Sequence, residues 1–161
     1  MTAPESKAEP QDQIALLESR LESLLDEAGV LVDQLQAVGA EQRHAVESGQ
    51  VQQIVEVVAK RDPIVQSMIR VGEELGAFIE DPTTKTTICE QTLNGALLRI
   101  AGYEHTMKRL REQDARDQTQ MEQTRDKLAA QLAGMGSGKS ALRAYSSRSS
   151  TPNPIMQDKR G

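Results

Sequence analysis

An all-α fold, an antiparallel helical hairpin with a long third helix in a coiled-coil-like bundle, is predicted by three features of this sequence. Apolar residues recur in steps of three and four along three successive stretches, the period of a helix seam. Aromatic residues make up 2% of the chain, with no Trp, so Leu, Val, Ile, Met and Ala must fill narrow seams in place of large anchors. Pro and Gly punctuate the chain where one seam ends and the next begins, at Ser48-Gly49 and Asp81-Pro82, and no stretch alternates as a half-buried strand would.

Residues 1–11 hold two prolines and mixed charges, and disorder is expected there. Asp12 is the predicted cap of a first helix reaching about Glu47. Its seam is Ile14, Leu17, Leu21, Leu24, Ala28, Leu31, Leu35, Val38 and Ala45, widened by Leu25 and Val32. Gly49 can take the left-handed conformation that ends a helix, and Ser48 or Gly49 can cap the next. So short a connection makes the two helices antiparallel neighbours. The second seam reads Val51, Ile54, Val58, Val65, Met68, Gly72, Leu75 and Ile79. Pro63 interrupts it at about 3 kcal/mol, predicting a kink near Lys60 to Asp62, with a break capped by Asp62 as the alternative.

A third helix is expected from Thr83 or Thr84 to about Ala133. Its seam of Cys89, Leu93, Ala96, Ile100, Tyr103, Met107 and Leu110 continues in frame through Asp114, Asp117, Met121, Thr124 and Leu128. The polar residues from about 114 are those expected of a helix that outlasts its partners. Cys89, the only cysteine, reads as a small buried side chain. Gly134, Gly136 and Gly138 together disfavour helix by about 3 kcal/mol. The division expected is therefore a body over 12–133 and a flexible, basic Gly/Ser-rich tail over 134–161.

Charge and motifs narrow the function. Of the net charge of -5, the chain from Gly134 onward carries five Lys and Arg against one acid, +4, which leaves -9 for the rest. An acidic body argues against nucleic acid as a partner. No window approaches the ~18 apolar residues of a membrane span, so no membrane insertion and a cytoplasmic location are expected. Ala133, Gly138, Lys139 and Ser140 match a loose Walker A form. A phosphate loop needs a strand before it and a magnesium carboxylate nearby, and the sequence offers neither. His44 and His105 lie in separate helices without the spacing of a metal pair. No enzymatic activity, cofactor or metal is predicted.

One feature of the tail points to a partner. Leu128, Leu132, Met135, Leu142 and Tyr145 fall on one side if the glycine stretch is helical, with Lys139 in the remaining seam position. Such a row suits a helix that orders against a partner's groove or coiled coil. These five are the predicted partner-binding residues.

The segments LLESRLESLLDEAGVLVDQL and EQRHAVESGQVQQIVEVVAKRDPIV, followed by a long third helix with an AYSSRSS tail, resemble the flagellar export chaperones of the FlgN type. The match is strongest over Ala45 to Arg61. Gln50 stands where that family usually has an acid, and Pro63 where its helix is normally continuous. The resemblance implies a cytoplasmic chaperone that holds hook-associated proteins ready for the flagellar type III export apparatus and binds them through its C-terminal part. In this chain that part includes Leu128, Leu132, Leu142 and Tyr145. The alternative is a self-associating structural coiled coil, a homo-oligomer with no export client.

Overall fold

The computed structural model describes residues 9–148. Of residues 1–11, where disorder is expected, Pro10 and Gln11 are helical and 1–8 lie outside the described residues, as do the Ser, Pro and Asn residues from 149. All secondary structure among the described residues is helical: α1 (Pro10–Ser48), α2 (Val51–Glu80), α3 (Pro82–Thr87) and α4 (Glu90–Arg148). The chain divides into two units, Met1–Thr119 and Gln120–Gly161.

In the first unit, α1 starts two residues before the expected cap. Glu9 occupies the N-cap position without a side-chain hydrogen bond, and Pro10 opens the helix, where its fixed φ is already helical and its missing amide leaves nothing unpaired. Asp12 is instead a first-turn acid, well placed against the positive end of the helix dipole. At the other end the Gly49 amide donates to the Val46 carbonyl (3.2 Å) and the Gln50 amide to that of Ala45 (3.3 Å). This paired arrangement closes a helix when the residue beyond it is left-handed, and Gly49 has φ 67°. Neither Ser48 nor Gly49 caps α2. That position belongs to Gln50, while Ser48 Oγ donates back to the Ala45 carbonyl at 3.1 Å. Gly49→Ala should lower stability by about 1–2 kcal/mol through left-handed strain, and Gly49→Asn by less. Urea unfolding midpoints check both.

α2 is unbroken through Pro63, so Asp62 is not a cap. Pro63 and Ala59 are both exposed, which leaves the carbonyl deprived of its amide partner on the solvent side, while burial of Val57 and Val71 on either side holds the helix together. The face that α2 buries shares Ile54, Met68 and Leu75 with the predicted one and differs from it at positions between them. Val57, Val71 and Leu75 are buried, whereas Val51, Val58 and Gly72 are exposed. The inward frame runs Ile54, Val57, Arg61, Ile64, Met68, Val71, Leu75 and Phe78, still in steps of three and four, and it carries an arginine.

The connection to α4 contains a helix of its own. Asp81 Oδ1 accepts from the Thr83 and Thr84 amides at 2.8 and 3.2 Å and Pro82 opens α3, so the aspartate is a cap as well as a helix end. α4 therefore begins at Glu90 rather than at Thr83 or Thr84. Ile88 is buried in the core and Cys89 is exposed, contrary to the burial expected of the cysteine. The break between α3 and α4 shifts the buried position by one residue.

The core forms two neighbouring groups. Leu21, Leu24, Leu25, Leu75, Ile88 and Ala96 make the first, and Ala28, Leu31 and Val71 the second. Tyr103 packs against both, and its hydroxyl donates to the Leu25 carbonyl at 3.1 Å. Gly29 makes that approach possible, since a Cβ there would stand 2.8 Å from the Tyr103 oxygen. Around the core, Arg20 reaches Glu74 at 2.8 Å, and Arg99 reaches Glu22 and Asp26 at 2.8 and 2.9 Å. These exposed pairs fix helix neighbours more than they add stability, at about 0–1 kcal/mol each.

In the second unit the described residues are the C-terminal stretch of α4, which runs through Gly134, Gly136 and Gly138 to Arg148. The helix end expected near Ala133 is not present. Glycine weakens a helix without blocking it, and no proline stands in this stretch to turn the chain aside.

Candidate functional site

Two arrangements of side chains stand out, one in each unit. In the first unit, all three long helices contribute a polar residue to one level of the bundle. α1 supplies Gln42, 4% exposed, α2 supplies Arg61, and α4 supplies Asp114 and Asp117, the latter 2% exposed. Each occupies a seam position, since 42 falls between Val38 and Ala45, 61 between Val57 and Ile64, and 114 and 117 follow Leu110.

The guanidinium of Arg61 donates through Nη1 to Asp114 Oδ1 at 2.6 Å and through Nη2 to Asp114 Oδ2. This is the bidentate geometry that favours arginine over lysine. Arg61 Nη1 also donates to Gln42 Oε1 at 3.1 Å, and Gln42 Nε2 to Asp117 Oδ2 at 3.0 Å. Gln113 Nε2 completes the set by donating to Asp117 Oδ1 at 2.8 Å. The bond to Asp114 raises the Arg61 pKa above its ordinary value, outweighing partial burial. Among the described residues no buried side-chain nitrogen or oxygen lacks a partner. The layer is a closed network that rewards one alignment of three helices, because sliding any of them by a turn leaves a charge facing Leu or Val.

This corrects the expectation that α4 turns polar because it has outrun its partners. At Asp114 and Asp117 it is polar because α1 and α2 present a glutamine and an arginine there. The signal was available in the sequence: each seam, continued in frame through its polar position, meets Gln42, Arg61 and Asp114.

In the second unit, all five predicted partner-binding residues are exposed: Leu128 44%, Leu132 67%, Met135 65%, Leu142 70% and Tyr145 79%. The unbroken helix supplies the condition under which they share a face. Steps of four, three, seven and three keep them in one row. The same continuity bears on the Walker-like letters, since the backbone of 133–140 is helical and its amides run along one axis instead of converging on a phosphate.

The remaining reactive side chains are dispersed. His44 and His105 are exposed, and no group of three or more His, Cys, Asp or Glu residues among the described ones is placed to hold a metal. Cys89 Sγ lies 3.1 Å from Thr92 Oγ1, a hydrogen bond that lowers the thiol pKa. No described helix is long and apolar enough to cross a membrane. Comparison with known proteins adds no relative: no family model, no curated protein and no solved structure matches this chain.

Proposed function

We propose that this protein is a cytoplasmic export chaperone of the FlgN type, which binds hook-associated flagellar proteins and keeps them competent for the type III export apparatus. The observation that carries the reading is the row from Leu128 to Tyr145, five large side chains exposed along one helical face. Exposed apolar surface of this extent marks an interaction site, and a helical row at this spacing fits an amphipathic helix of a client. The body supports the same division of labour, since its core and its polar layer are complete without the row. Such a role requires no catalytic group or cofactor.

The test is co-purification of the tagged full chain from a flagellated host, followed by binding measurements with the recovered hook-associated protein. Leu132→Asp and Leu142→Asp should each weaken capture at least about tenfold, the equivalent of ~1.4 kcal/mol, while the thermal midpoint of the body stays in place. Capture that survives truncation after Asp126 would place the client elsewhere and sink this reading of the row.

A further inference from the structure

An apolar cleft in the first unit matches in length the Leu132–Tyr145 part of the apolar row in the second, and the charges around the two are opposite. The cleft, of about 380 Å³, is lined by α2 and α4, with Ala28 of α1, and includes Leu75, Ile100 and Tyr103. Leu97, 48% exposed, stands on its α4 side. Its lining extends from Met68 to Glu80 on α2 and from Leu97 to Arg111 on α4, roughly 18 and 21 Å at 1.5 Å per residue. The segment from Leu132 to Tyr145 is roughly 20 Å long by the same measure. On the α2 side the lining is open at Gly72 and Gly76, both exposed, where an added Cβ would meet nothing within 4 Å. Two acids, Glu80 and Glu104, line the cleft against one base, Arg111. Between Lys127 and Arg148 the chain carries four bases and no acid.

We propose that the cleft is the docking site for the row of a second copy of this chain. The exchange is reciprocal. Each copy presents one row and one cleft, so a pair of copies has two equivalent junctions to make. The bases flanking the row meet Glu80 and Glu104, and a bulky row residue fills the space left by the two glycines. The inference does not depend on the chaperone reading. If a hook-associated client also binds the row, client and second copy compete for it.

Sedimentation velocity on the full chain over a range of concentrations reads the association directly. Gly76→Leu fills the cleft, and nothing stands within 4 Å of its Cβ to clash. Leu142→Asp puts a charge into the row at an exposed position. The wild type should dimerise reversibly, more weakly as salt rises, and each variant should raise the dissociation constant at least about tenfold. An equimolar mixture of the two variants should associate more tightly than either alone, because the hybrid keeps one intact cleft-and-row junction. A monomer at all concentrations, a dimer indifferent to either substitution, or a mixture with no recovery would each overturn the proposal. The two readings fail separately: a monomer that still captures client defeats this one alone, and a dimer of the expected kind that captures none defeats only the chaperone.

Discussion

Arg61→Leu is expected to destabilise the body by about 2–3 kcal/mol, read as a lowered urea midpoint. Removing one partner of a fully buried ion pair costs about 3–5 kcal/mol. The lower figure reflects partial screening, since the Arg61 and Asp114 side chains keep 21% and 29% of their exposure. What the substitution leaves behind is the larger part of the effect: Asp114 and Asp117 would share one level of the bundle with no cation between them. The double variant Arg61→Leu, Asp114→Leu should therefore recover most of the loss, because apolar residues of similar volume replace a charge pair at little net cost. The cycle formed by the two single variants and the double variant should give a coupling of about 1–3 kcal/mol. It should persist in 0.5 M salt. The coupling between Arg20 and Glu74, an exposed pair, should vanish there. Additive losses would mean that the layer does not act as a unit.

Leu21→Ala should cost more, about 3–4 kcal/mol, because Leu21 is 1% exposed at the centre of the first core group and its removal leaves a cavity that rigid helices close only in part. The same experiment on α2 tests which face that helix buries. Val57, 8% exposed, should lose about 1.5–2 kcal/mol on truncation to Ala, the transfer free energy of two methyl-sized groups. Val58, 48% exposed, should change by less than about 0.5 kcal/mol, since the better helix propensity of Ala offsets the little burial lost. The reverse order for these two adjacent valines would restore the face predicted from the sequence.

The difference between those valines explains what was legible and what was not. α1 and α4 have one apolar stripe each, and there the predicted seam is buried from Leu21 to Val38 and buried or half-buried from Leu93 to Leu110. α2 has two. Ile54 and Val55, Val57 and Val58, Ile64 and Val65, Met68 and Ile69 are neighbouring apolar pairs, so two faces about one residue apart offer nearly equal burial. Both frames pass through Ile54, Arg61, Met68 and Leu75, so the arginine does not decide between them; the structure buries Val57 and Val71 in place of Val58 and Gly72. The residues of the apolar row were legible, since their spacing is a property of the chain itself.

The sequence by itself determined that the chain is helical, that it turns at Ser48-Gly49, and that Leu128, Leu132, Met135, Leu142 and Tyr145 lie along one face of any helix containing them. Periodicity, a left-handed glycine and the 3.6-residue turn act locally, so the local sequence is enough to fix them. Only the tertiary structure decided the face of α2, the burial of Ile88 in place of Cys89, and the pairing of Gln42, Arg61, Asp114 and Asp117 across three helices. The last of these is settled by partners 19 to 75 residues away in sequence. Burying a charge is unfavourable until its counter-charge is in place, and no reading of one helix at a time contains the other.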